Sequence, residues 1–379
     1  MAHHHLHHPS GSARSLSPSA LALATVFCLL ATHLCTAAAA THVRSLTVSA
    51  PPPVSAPASA ASSAGAAAAS TAIFGDGRKH ITGRHVQKVQ ANGSSAAIVR
   101  PMGVVESGCG SDTCNAEPWR CNVMSDPINV YLIWHGAFSK AQKNVVRTFV
   151  RSLSSSEGTV SGWWGISQLY TDCDGNAVSG DVALAGEMQV RPNAFKLLLG
   201  ENSLVNLVRM GINRGKFPAD VNGVYFVVGS RWSKQWSSLN PWGDNFCSGY
   251  CGWHSYRSIK GKQLKYSFVG NPAGRCMWGC GGKTLYNAPA GPGGAGKGMD
   301  SVVSTLAHEL TEAATDPYLS TWSDSEGYEN ADVCDIDFQA SDLSTTSDGA
   351  PYNLEGIAGS KFLVQLNYHP TQHQCVSTV

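Results

Sequence analysis

Ten cysteines constrain this chain more than any other feature. They are Cys109, Cys114, Cys121, Cys173, Cys247, Cys251, Cys276, Cys280, Cys334 and Cys375, and two more, Cys28 and Cys35, fall in an apolar leader. An even set of cysteines downstream of a leader implies disulfides formed in an oxidising compartment. The spacing leaves their pairing open. One competing arrangement is a zinc ribbon, in which C-S-G-Y-C at 247–251 and C-M-W-G-C at 276–280 would supply four thiolates. The export context favours bridges. Cys109, Cys114 and Cys121 lie close together and suggest a small stapled loop.

The leader occupies residues 1–40. Arg14 precedes an apolar run from Leu21 to Ala31, and small residues from Thr36 to Ala40 offer cleavage options. The run is short for a membrane span, so no stable span is expected once the leader is removed. Histidines 3–5, 7 and 8 resemble a tag or metal-binding tract inside the same segment. Residues 41–97 are rich in Ala, Ser and Pro and read as a disordered linker with one glycosylation acceptor, Asn92. Residues 98–125 form a Cys-rich lead-in, and residues 126–379 a single globular domain. The formal net charge is +1, which gives no electrostatic argument for nucleic acid. Charged residues are only 14% and glycines number 39, as in a loop-rich secreted protein.

Within the domain, hydrophobic periodicity predicts the elements. I-N-V-Y-L-I-W at 128–134 is a strand rich in β-branched and aromatic residues. Ser139 with Gln142 forms a capping box for a helix whose buried face is Val145, Val146, Phe149, Val150 and Leu153. A short helix is predicted over 163–170, a strand over 182–190, and a helix through Leu204, Leu207, Val208 and Ile212. G-V-Y-F-V-V-G at 223–229 is apolar throughout, as for a central strand. Further strands are expected over 264–269 and 362–368. The pattern gives an α/β (α+β) fold, a mixed sheet covered by helices and stapled by disulfides.

The chemistry concentrates between Asp300 and Asp337. The residues around 302–315 have apolar side chains at three- and four-residue steps, Val303, Leu306, Leu310 and Ala313, and Pro317 ends the helix. His308 and Glu312 are one turn apart on one face, with Glu309 beside them. Metallohydrolase helices of the H-E-x-x-H type place two ligands this way, with the intervening Glu as general base. Here the second His is Glu312, so a zincin-like site would use His308 and Glu312, with Glu329 or Asp332 as third ligand and Glu309 as catalytic base. Zinc is the cofactor this set suggests. Calcium is the weaker option, held by Asp324, Glu326, Glu329, Asp332, Asp335 and Asp337, which lack EF-hand spacing. The bland alternative is a solvated helix with two acids beside a histidine.

Two other features invite functions. G-P-G-G-A-G-K-G at 291–298 fits seven positions of a P-loop, but Gly298 stands where Ser or Thr must bind magnesium. It reads as a flexible approach to the helix, and no nucleotide is expected. Trp232, Trp236, Trp242, Trp253 and Trp278 could stack on sugars; packing of a loop-rich lobe is the preferred explanation.

Several blocks resemble the plant EXORDIUM or phosphate-induced protein family. They are I-N-V-Y-L-I-W-H-G-A-F-S-K-A-Q at 128–142, Trp163-Trp164, F-C-S-G-Y-C-G at 246–252 and F-V-G-N-P-A-G-R-C-M-W-G-C at 268–280, with Cys375 near the end. H-E-L-T-E-A-A-T-D-P at 308–317 is similar to a further block, with Asp316 where that block has Asn. The resemblance spans about 126–379. It implies a secreted protein of the apoplast or cell wall, linked to cell expansion and growth, with wall or apoplastic components as partners. It implies no particular enzymatic activity.

Overall fold

The computed structural model describes residues 79–80, 104–191, 197–236, 245–277, 279–280, 295–296, 298–335, 338 and 343–379. These belong to one compact unit, Ala68–Val379. The leader, most of the Ala/Ser/Pro stretch, Asn92, Trp242, Trp278 and most of the Gly-rich 291–298 segment lie outside the described residues.

Alternation along the strands builds a three-layer domain. A six-stranded mixed sheet has the order β1-β7-β8-β5-β2-β3. Its strands are β1 (Lys79–His80), β2 (Ile128–His135), β3 (Val182–Val190), β5 (Gly223–Gly229), β7 (Gly252–Ile259) and β8 (Lys262–Val269). β4 (Leu198–Leu199) and β6 (Lys234–Gln235) form a separate parallel pair. β3, β2, β5 and β8 run parallel, β7 is antiparallel to β8, and β1 is antiparallel to β7. In β2, Ile128, Val130, Leu132 and Trp134 enter one core, and Tyr131 and Ile133 the other. A period of two on a strand covered on both faces requires this split.

The first face is covered by α2 (Lys140–Ser152), α3 (Val160–Ser167) and α5 (Gly298–Thr315), the second by α4 (Glu201–Asn213). Ser139 and Gln142 form the expected capping box at the start of α2. The short helix sits earlier than predicted because Tyr170 leaves it to donate a hydrogen bond to the Tyr368 carbonyl at 2.7 Å. β7 and β8 are joined by a two-residue turn, Lys260–Gly261, with φ of 52° and 76°. Positive φ at both positions is the type I′ geometry that suits strand twist.

The C-terminal part is made of short ribbons. β9 (Ser344–Thr345) pairs with β10 (Pro351–Tyr352), β11 (Leu354–Glu355) with β12 (Lys361–Phe362), and β13 (Asn367–His369) with β14 (Gln374–Val376). The predicted strand over 362–368 is therefore split. Between its halves the chain runs along α5 without ladder pairing, and the Gln365 N–H donates to Ser304 Oγ at 3.1 Å. A small helix α1 (Asp112–Ala116) precedes the domain, and α6 (Asn330–Val333) follows α5.

Five disulfides tie these pieces: Cys109–Cys173, Cys114–Cys121, Cys247–Cys276, Cys251–Cys280 and Cys334–Cys375. They overturn the zinc-ribbon alternative, because all four of its thiols are consumed in two cross-links. The small-loop expectation for Cys109–Cys121 is corrected in part: Cys109 reaches across to Cys173. The three tryptophans of that group among the described residues differ in burial. Trp253, on β7, is fully buried, while Trp232 and Trp236 are 60% and 44% exposed. Among the described residues, no helix is long and apolar enough to cross a membrane.

Candidate metal centre

α5 is buried along its whole length, so the solvated-helix alternative does not hold. Its apolar side, Val302, Val303, Leu306, Leu310, Ala313 and Ala314, packs into the large core. Its polar side carries Ser304, Thr305, His308, Glu309 and Glu312, and meets β7, α6 and the Gln365 segment. Buried polar groups require partners, and these elements supply most of them.

His308 Nε2 lies 2.9 Å from Glu312 Oε1 and 3.5 Å from Asp332 Oδ1. Its Nδ1 is 3.0 Å from Gln365 Oε1, and the Gln365 amide nitrogen donates to the Ala331 carbonyl at 2.8 Å. Gln365 thus presents its oxygen to His308, which fixes Nδ1 as an N–H and turns Nε2 towards the carboxylates. Nε2 is fully buried and makes a close polar contact rather than a directional hydrogen bond.

The remaining predicted residues take different places. Asp332, at the first turn of α6, joins His308 and Glu312, and its backbone N–H donates to Glu312 Oε1 at 3.2 Å. Glu329 instead faces a second histidine, His254 on β7, at 3.8 Å from Nε2. His254 Nδ1 is 3.5 Å from both Glu309 Oε2 and Glu312 Oε2. Glu309 is fully buried, and neither of its oxygens has a hydrogen-bond partner. Among the described residues, two groups of three could hold a metal ion, His308–Glu312–Asp332 and His254–Glu309–Glu312. Asp324 accepts hydrogen bonds from the Glu326 and Tyr328 backbones, closing its own turn. Asp316 similarly accepts from Ser320 and Thr321 N–H at 2.7 and 3.1 Å. An Asn oxygen could accept these bonds too.

Electrostatics show how strongly the cluster asks for positive charge. Burial works against a charged His308, but Glu312, Asp332 and Glu309 outweigh it and raise its pKa well above the ordinary value. His254 is raised in the same way, with burial opposed by Glu329, Glu309 and Glu312. Burial pushes the Glu309 carboxyl up to about 7, with Glu312 adding to the effect. Burial also opposes charge on Glu312, yet His308 and His254 hold its pKa at about 2. Asp332 is raised by burial and by Glu312.

Sequence spacing identified His308, Glu309 and Glu312, but missed His254 and Gln365. The available signal for His254 was the pair of alternating runs around Lys260–Gly261, which marks a hairpin and makes residues 252–259 a strand.

A sandwich of this kind, with a His–carboxylate cluster between a central helix and the β7–β8 hairpin, defines a disulfide-stapled α/β domain. Residues 119–378 match the phosphate-induced protein 1 conserved region, and the chain belongs to that family. It is 29% identical to Protein EXORDIUM-like 5 of Arabidopsis thaliana, covering 66% of this chain and 74% of that one. It is 29% identical to Protein EXORDIUM-like 3 of the same plant, over 64% and 77% of the two chains. Protein PHOSPHATE-INDUCED 1 of Nicotiana tabacum is 27% identical, over 66% and 84%. No solved structure matches.

Proposed function

We propose that this chain is an exported protein of the apoplast or cell wall that acts in cell expansion, and that its His308–Glu312–Asp332 cluster holds a zinc ion. Family membership over 119–378 carries the first part, supported by five disulfides that suit an oxidising compartment. The test is a C-terminally tagged full chain expressed in plant cells. Recovery of oxidised protein in apoplastic wash is expected. Retention in the cytosol with free thiols would defeat the reading.

The zinc is supported by the donor set. One imidazole nitrogen and two carboxylate oxygens are borderline-to-hard ligands of the kind zinc takes. Gln365 plays the second-sphere part usual beside a ligating histidine. All three residues are buried or nearly so, as in a closed structural site. The measurement is zinc content of the purified full chain: near-stoichiometric metal in the wild type and loss in His308→Ala.

A second reading, a zinc-dependent peptidase with Glu309 as base, draws on the H-E-x-x-E order and on the place of a buried Glu309 beside the proposed ligands. It requires Glu309→Gln to keep zinc while losing peptide cleavage.

A further inference from the structure

The two three-residue groups share one side chain. Glu312 turns Oε1 to His308 and Oε2 to His254. We propose that Glu312 bridges two divalent cations, the second held by His254 Nδ1, Glu309 Oε2 and Glu312 Oε2. This deepens the zinc reading above by adding a site and rests on it only through the shared Glu312.

Three observations carry the second site. The first is the pair of histidines. His254 directs Nε2 to the Asp316 carbonyl at 3.4 Å, which marks that nitrogen as an N–H and leaves Nδ1 as the nitrogen that faces Glu309 and Glu312. His308 does the same in mirror image, with Nδ1 on Gln365 and Nε2 facing Glu312 and Asp332. A histidine that gives one ring N–H to an oxygen acceptor and turns its other nitrogen to a group of carboxylates has the orientation of a metal-ligating imidazole. The second is distance. For metal–ligand bonds of about 2.1 Å, the edge of a tetrahedron is roughly 3.4 Å. His254 Nδ1 sits 3.5 Å from each of its two carboxylate oxygens. The third is Glu309, wholly buried, with neither oxygen hydrogen-bonded and Oε2 in contact with His254. A single divalent ion at the His308 group would leave the Glu309 charge to be met inside the protein. A second ion meets it directly.

The assignment changes the role of Glu309 from general base to ligand. It also gives Glu312 a position like that of a bridging carboxylate in two-metal sites, whose ions lie about 3.5–4 Å apart.

The test uses the full chain, purified from a secretory host, loaded with zinc alone, dialysed and assayed for bound metal, with X-ray absorption at the zinc edge. Two zinc ions per chain and a zinc–zinc vector of about 3.5–4 Å are expected. His254→Ala and Glu309→Gln should each reduce the content to one and remove the vector. Asp332→Asn should spare the His254 ion. One zinc in the wild type, kept in His254→Ala and lost in His308→Ala, would overturn the second site and leave the first intact. One zinc lost in His254→Ala and kept in His308→Ala would overturn both the bridge and the first site. No bound zinc would sink both. The wild-type stoichiometry decides the matter even where a variant fails to fold.

Discussion

Gln365 decides which nitrogen of His308 faces the carboxylates, although it cannot itself reach an ion bound there. Replacing it with Leu keeps most of the volume but removes the acceptor of the Nδ1 proton. Loss of such an outer partner lowers metal affinity about 10–100-fold. Gln365→Leu should therefore weaken zinc binding by that factor in a competitive chelator titration, while leaving the near-UV spectrum unchanged. A second residue gives a pH signature away from the cluster. Burial lowers the Lys265 amine to about 8, against a smaller opposing pull from Asp220, while its Nζ donates to the Val221 carbonyl. Between pH 8 and about 10.4 the native amine is neutral while the unfolded one is charged. The unfolded chain then holds the extra proton, so stability rises with pH across that window, by an amount on the order of 3 kcal/mol. Urea midpoints measured from pH 7.5 to 10 should show the rise, and Lys265→Met should flatten it. Single residues differed in how far they could be read from sequence alone. His308 and Glu312 were legible because a helix converts a spacing of four into proximity. Glu329 and Asp332 were equally plausible third ligands, since only the start of α6 settles which acid faces which histidine. His254 is distant in sequence from α5, and the hairpin pattern around Lys260–Gly261 marks its strand but not its place beside Glu309 and Glu312.

At the scale of elements, the close approach of β7 to α5 depends on Gly252. A Cβ there would lie 2.6 Å from Thr305 Cγ2 and 2.8 Å from both Glu309 Oε1 and the Phe268 carbonyl. The Thr305 and Glu309 side chains could give way, but the Phe268 carbonyl belongs to the sheet and cannot. Gly252→Ala should cost about 1–3 kcal/mol, as for other overpacked sites, and should drive Glu309 away from His254. Thermal melts with and without added zinc check this: the variant should melt lower, and zinc should raise its melting point less than it raises that of the wild type. The elements that spacing predicted well were those with strong periodicity and clear ends. β2 and β5 are long apolar runs, α2 has its capping box, and α5 has four apolar steps before Pro317. β7 escaped notice because it is wet on one face for half its length and carries His254, Ser255 and Ser258, and because Lys260–Gly261 is an uncommon pair for a type I′ turn. The stretch over 362–368 looked like one strand because it is apolar, but its middle packs on α5 through side chains and a serine hydroxyl instead of a ladder. The polar side of α5, which the solvated-helix alternative would have turned to water, is buried because that C-terminal stretch wraps over it.

On the scale of the whole molecule, two of the five cross-links stand next to the cluster. Cys251 stands three residues before His254 and is bonded to Cys280. Cys334 stands two residues after Asp332 and is bonded to Cys375 on β14. The carriers of two side chains of the cluster, β7 and α6, are thus each pinned to another part of the chain, while the third carrier is the core helix itself. α6 is a single turn and could not hold Asp332 in place by its own hydrogen bonds. The Cys334–Cys375 bridge closes 41 residues and Cys114–Cys121 only 7. Loop-closure entropy makes the longer one worth about 4 kcal/mol and the shorter about 2. Converting each pair to serines should separate stability from site geometry. Loss of Cys114–Cys121 should lower the melting point modestly and leave zinc content as in the wild type. Loss of Cys334–Cys375 should lower the melting point further and release zinc at a lower chelator concentration, because Asp332 is then free to swing with α6. If both variants kept zinc equally well, the bridge would serve stability alone, and the placement of Asp332 would have to come from its backbone N–H bond to Glu312.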